Sequence, residues 1–211
     1  VNGCTTTDAM EFFNHTLPAF TLGPDQTICA GNTATFSANV VGATYLWSTG
    51  AAANSITTGN AGTYWLDVTT NGCSVRDTVL LAVTALPVVD LGPDFSLCPG
   101  VNATLNAAVA GGSYAWSTGA NTASISVGPG SYDVTVTANG CSANDAITIG
   151  TYPAAQVDLG ADLTLCPGDQ VLLNVAQPGA SYLWNDGSTA STYTAQTAGV
   201  ISVQLTDANG C

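Results

Sequence analysis

The chain has 211 residues, with thirteen Asp and one Glu against a single basic residue, Arg76, and no Lys, for a formal net charge of −13. That surface repels nucleic-acid phosphates and anionic lipid headgroups, which excludes nucleic-acid binding and electrostatic membrane binding. A mean hydropathy of +0.29, with 46% apolar and 7% charged residues, is too apolar for a disordered tail, yet no apolar run reaches the ~18 residues of a bilayer span.

In chain order, the first element is a fragment. Asn2-Gly3-Cys4 is followed by an expected strand over roughly Thr5 to Leu17, which reads as the last strand of a preceding repeat or of a neighbouring subunit. Three copies of one module then follow, at 18–86, 87–153 and 154–211, the third lacking a last strand of its own. Each copy carries L-G-(P/A)-D-x-x-x-C from Leu22, Leu91 and Leu159. The Asn-Gly-Cys triplet ends at Cys4, Cys73, Cys141 and Cys211, at intervals of 69, 68 and 70. A period of this length marks an array of small domains.

Within each copy the expected elements are β-strands. Ala34, Phe36 and Ala38 alternate with polar residues, as do Ala103, Leu105 and Ala107, and Val171, Leu173 and Val175. That is the period of two of a half-buried strand. A strand carrying Tyr45 and Trp47, Tyr114 and Trp116, or Tyr182 and Trp184 comes next, then a glycine turn, a short strand around Ile56, Ile125 or Tyr193, and a longer one such as Tyr64 to Val68. The Asn-Gly before the next cysteine is a type I′ hairpin signal. The fold class is all-β, a tandem array of antiparallel immunoglobulin-like Greek-key sandwiches. Trp47, Trp116 and Trp184 read as core aromatics, because a sandwich buries a Trp at this place on a central strand. Trp65, beside Tyr64 in one copy only, is the candidate for an exposed contact.

The seven cysteines are the available covalent lock, since isopeptide crosslinks need Lys. Two regular pairings are open. Within repeats, Cys29 joins Cys73, Cys98 joins Cys141 and Cys166 joins Cys211, leaving Cys4 for an upstream repeat; this is the expectation taken forward. The rival joins neighbouring repeats, because in a strictly immunoglobulin-like topology the two cysteines lie at opposite ends of the sandwich. Either implies an oxidising compartment. The interval from each Asn-Gly-Cys to the next cysteine is 25 in all three cases, Cys4 to Cys29, Cys73 to Cys98 and Cys141 to Cys166. A floppy linker would drift in length, so the spacing predicts fixed domain-to-domain geometry and a stiff rod.

Asp25, Asp94 and Asp162, with Asp77 and Asp145 (and Asp8 in the opening segment), recur near repeat boundaries and could hold a structural Ca²⁺. Turn-capping carboxylates bonded to their own backbone are the simpler reading, and the EF-hand pattern is absent. Catalytic residues are not expected: His15 is the single histidine, and the carboxylates recur at repeated positions instead of forming a unique pair. Asn14 and Asn102 fall in N-linked sequons.

Together L-G-P-D-x-x-x-C-x-G, Y-x-W-S-T-G, G-T-Y-W and N-G-C resemble the PKD-like and bacterial immunoglobulin-like repeats of Bacteroidetes cell-surface and type IX secreted proteins, of the gliding-motility adhesin type. The resemblance covers essentially the whole chain. It departs in repeat 3, where Asn185 to Ser188 reads N-D-G-S and Ile201 stands for Tyr64 and Tyr132. It implies a sandwich array, export to the extracellular surface and structural or adhesive work, with neighbouring repeats or copies of the chain as partners and surface glycans or other cells as possible ones. Asp77-Thr78-Val79 is similar to the O-glycosylation sites of that phylum, which marks Thr78. The alternative is a glycan-binding accessory array of a larger secreted enzyme. Two expectations concern the ends: a slice of a longer polypeptide, or a fibre in which the opening strand of one copy completes the last repeat of another.

Overall fold

A computed structural model describes residues 2–211. Among them it shows sixteen β-strands and no helix, so no helix is long and apolar enough to cross a membrane. One compact unit runs to Pro87 and takes in Asn139–Cys141; the other is Val88–Ala138 with Ser142–Cys211.

Repeat 1 is built from β1 (Gln26–Cys29), β2 (Ala34–Ser37), β3 (Thr44–Trp47), β4 (Ser55–Thr58), β5 (Gly62–Thr70) and β6 (Cys73–Thr84). One sheet has the order β1-β6-β5-β3, and the other pairs β2 with β4. The short β1 runs parallel to β6, with Gln26 opposite Leu81 and Cys29 opposite Thr84; the other pairings are antiparallel. Alternation decides which residues go inside: Ala34 and Phe36 from one sheet meet Leu66, Val68, Val79 and Leu81 from the other, all buried. This is the two-layer arrangement that alternating sequence demands.

Repeat 2 repeats the plan with β7 (Phe95–Leu97), β8 (Ala103–Asn106), β9 (Ser113–Trp116), β10 (Ser124–Val127), β11 (Gly130–Ala138) and β12 (Cys141–Thr151). Its sheets have the orders β7-β12-β11-β9 and β10-β8, with β7 parallel to β12. The Asn71–Gly72 and Asn139–Gly140 turns both have two consecutive positive φ values, 49° and 80°, and 51° and 79°, as a type I′ turn requires.

Repeat 3 has four strands, β13 (Val171–Asn174), β14 (Ser181–Trp184), β15 (Thr192–Ala195) and β16 (Val203–Thr206), in two separate pairs. Its segment 163–166, equivalent to β1 and β7, is not a strand. Its core is correspondingly thin: Val175, Tyr182 and Trp184 are buried, while Val203 and Leu205 are only half-buried where their counterparts Leu66 and Val68 are fully enclosed.

Each core Trp is fastened as well as buried. Trp47, Trp116 and Trp184 donate from Nε1 to the carbonyls of Ala53, Thr122 and Ala190 at 2.8, 2.8 and 2.9 Å. Two residues earlier, Tyr45, Tyr114 and Tyr182 each accept at Oη from a backbone N–H, and donate to the carbonyl, of Val40, Val109 and Gln177 respectively. Trp47→Ala should therefore lower the stability of repeat 1 by about 3–5 kcal/mol, read as a fall in its denaturant midpoint. Leu46→Ala, on the exposed face of the same strand, should change it by about 0.5 kcal/mol or less.

Candidate functional site

The features that recur in geometry as well as in sequence are a pair of carboxylate clamps and the cysteines at the poles of the sandwiches. In repeat 1, Asp77 on β6 accepts the Leu22 N–H at Oδ2 and the Thr78 N–H at Oδ1, both at 2.8 Å. Asp25, just before β1, accepts the Leu80 N–H of β6 at 2.8 Å. Repeat 2 repeats both: Asp145 accepts from Leu91 at 2.7 Å, and Asp94 from Thr148 at 2.8 Å. The two aspartates thus clip the entering segment onto the last strand from both sides, and this fixes the parallel register.

In sequence these residues read as turn caps or as ligands of a structural Ca²⁺; they do bond backbone, but across the sandwich and not within their own turn. Asp25, Asp94, Asp77 and Asp145 each accept, through one carboxylate oxygen, a backbone N–H 54 or 55 residues away in sequence. Among the described residues no three His, Cys, Asp or Glu side chains gather as a cation site. Asp162 instead lines an open groove in repeat 3. The hydrogen bonds from Leu22 and then Thr78 hold the Asp77 carboxyl below its ordinary value.

The register also decides the disulfides. Cys29 lies at the end of β1 opposite Thr84, whereas Cys73 opens β6, so the length of β6 separates them. Eleven residues of strand span about 36 Å, far beyond the ~7 Å Cα separation that a disulfide tolerates. Cys98 and Cys141 are held apart in the same way by β12. The within-repeat pairing is therefore corrected. The bonds are Cys29–Cys141 and Cys98–Cys211, with Cα separations of 5.6 and 5.3 Å, while Cys4, Cys73 and Cys166 are free thiols.

One rule describes both bonds. The first cysteine of a repeat joins the Asn-Gly-Cys of the following repeat, across 112 and 113 residues. Loops that long stabilise by about 5 kcal/mol each in the chain-entropy model, against about 4 for loops of the within-repeat length. A gain that small does not select the pairing; strand register does. In repeat 3, Asp207 positions the receiving cysteine by accepting the N–H of Cys211 at 2.8 Å and of Asn209 at 2.9 Å, and these bonds lower its carboxyl pKa.

Trp65, the candidate exposed aromatic, is not a free platform. The Arg76 guanidinium stacks 3.7 Å from its ring centroid and is held there by a bidentate bond to Asp67, at 2.7 and 2.6 Å, which lowers the Asp67 carboxyl pKa. Thr78, Asn14 and Asn102 are exposed. His15 is exposed in the opening segment, where residues 2–20 form no strand.

No family model matches the chain, and no curated protein matches it. Solved structures of tandem immunoglobulin-like domains align with the chain. The I-band fragment I67–I69 of titin aligns at 12% identity over 79% of this chain and 78% of its own, with a TM-score of 0.37. The insect immune protein hemolin aligns at 13% over 62% of this chain and 46% of its own, with a TM-score of 0.38. Sidekick-1 immunoglobulin domains 1–5 align at 12% over 80% and 47%, with a TM-score of 0.34.

The clamps predict an acid dependence. Because the folded-state pKa of Asp77 is depressed, its contribution is fully present above the ordinary value of 3.8 and is lost as pH falls through that value and the lower folded one. Unfolding midpoints of repeat 1 should drop over that acid range, and Asp77→Asn should flatten the drop while lowering stability at neutral pH.

Proposed function

We propose that the chain is a segment of an extracellular structural or adhesive fibre, a stiff rod of immunoglobulin-like repeats without catalytic activity, acting at the cell surface or in matrix. The observation that carries this reading is the overlap of the two disulfide loops. Cys29–Cys141 encloses every peptide bond between those residues, and Cys98–Cys211 every bond from 98 onward. No single backbone cut between Cys29 and Cys211 separates the chain into two pieces. Within-repeat bonds would have left 73–98 and 141–166, the junctions between repeats, outside any loop.

A protein that must bear tension outside the cell, among proteases, gains directly from that redundancy. Overlap also shortens the path that load can straighten. Between Cys29 and Cys211 the shortest covalent route crosses to Cys141, runs back to Cys98 and crosses again, so the array yields far less length under force than its backbone contains. The 25-residue spacing between cysteines supports a regular junction. The oxidising compartment that disulfides need and the strongly acidic, Lys-free surface suit an exported, non-associating shaft.

The test is a cleavage. With a specific protease site inserted at the exposed Val88, the cut chain should run as one covalent species without reductant and as two fragments with it. Two fragments without reductant would overturn the reading.

A further inference from the structure

Resting on the fibre reading, we propose that the two disulfides make the β11–β12 hairpin of repeat 2 the element that carries tension, so that force pulls it by its tip, lengthwise, against the rest of its sandwich. The covalent route under load enters repeat 2 at Cys141 and leaves it at Cys98, against the direction of the backbone. Residues 30–97 and 142–210 lie off that route. They include β2 to β6 of repeat 1 and the junctions between repeats, all of which stay slack while 98–141 bears the force.

How the sandwich resists follows from where the two cysteines stand. Cys98 follows β7 and leads into β8, while Cys141 opens β12 at the opposite pole, about 36 Å away along the strand. The Asn139–Gly140 turn joins β11 to β12 and the two are neighbours in the sheet, so a pull on Cys141 acts on both. In the order β7-β12-β11-β9 the hairpin lies between two edge strands. Pulling its tip loads, in shear and at once, the three residue pairs that β7 makes with β12 and the four that β9 makes with β11. The bonds of Asp145 to Leu91 and of Asp94 to Thr148 cross the first of these boundaries. The hairpin also carries Val134, Val136, Ile147 and Ile149, all buried. A slip of one residue cannot re-form the ladders without turning that inward face outward, so the hairpin holds or fails as a unit.

Without the disulfides the same tension enters at the start of β7 and leaves at the end of β12. The three pairs between those strands and their two aspartate bonds then take the load alone. The oxidised chain is thus a strong link of short stroke, and the reduced chain a weaker one of long stroke.

The experiment stretches the full chain, held at its two ends, in single-molecule force spectroscopy. With the disulfides intact, one unfolding step of about 110 Å should appear, the extended length of the roughly 43 residues from Cys98 to Cys141 less the pole-to-pole distance. Dithiothreitol takes each S–S bond to two thiols and closes to its own cyclic disulfide. In its presence repeats 1 and 2, of about 60 residues each, should open in steps of about 180 Å, and repeat 2 should yield at lower force than in the oxidised chain. A ten-residue Gly/Ser insertion between Ala110 and Gly111, at the exposed tip between β8 and β9, should lengthen the oxidised step by about 35 Å. The same insertion between Val41 and Gly42, the equivalent exposed tip of repeat 1, should leave the oxidised trace unchanged and lengthen a step only after reduction. An oxidised step that responds to the repeat 1 insertion, one that ignores the repeat 2 insertion, or equal forces for repeat 2 in both redox states would overturn the proposal. A chain cut at Val88 should give the same oxidised trace, because Val88 lies off the route. A cut chain that falls apart without reductant refutes the rod itself; one that stays whole but opens in the long steps refutes the role of the hairpin alone.

Discussion

Everything distinctive about this chain depends on the parallel pairing of a short first strand with the far end of the last strand. Gln26 to Cys29 lie against Leu81 to Thr84, and Phe95 to Leu97 against Ile149 to Thr151. That pairing is pinned by two aspartates reaching across it to backbone N–H groups. It covers the apolar groove of the sandwich, and it carries one cysteine to the pole opposite the hairpin that bears the other. A covalent link must then leave the repeat in which it starts. The connectivity of the array is thus a consequence of strand register, with little dependence on disulfide energetics.

Repeat 3 shows what the pairing contributes, because there it is missing. The same alternating strands, the same Tyr-x-Trp pair and the same buried indole are present, yet Val203 and Leu205 stay half-buried and the segment before Cys166 is not a strand. Loss of one strand removes a wall of the core, a partner for two backbone segments and a set of clamps at once.

Much of the fold was legible in the sequence because it rests on local rules. Alternation named the inward faces of β2, β8 and β13; Asn-Gly named the hairpins; and Trp47, Trp116 and Trp184 were recognisable as core from their fixed distance to a Tyr. That the cysteines form disulfides was legible too, but not which scheme joins them. Spacing along the chain gives loop lengths, and loop entropy differs too little between the two schemes to choose. The deciding fact, that β1 is parallel to β6 at the end remote from Cys73, is a tertiary register that a four-residue strand does not announce. The partners of the recurrent aspartates were hidden for a related reason. Their spacing near boundaries is equally compatible with a cation and with a backbone amide 55 residues away, and only the packed chain shows the amide. Trp65 looked like an exposed contact because its Arg76 lid comes from the neighbouring strand β6, in a register the sequence does not announce, although Asp67, which steadies it, lies two residues on along the same strand.

The cross-repeat bond therefore joins fold to function: it follows from register, and it gives the array covalent continuity that survives a cut. Peptide mapping of the unreduced protein by mass spectrometry tests this most directly. The account predicts linked peptides containing Cys29 with Cys141 and Cys98 with Cys211. Linkage of Cys29 to Cys73 and of Cys98 to Cys141 would contradict it, since those bonds cannot form while β1 pairs with β6 and β7 with β12 as described.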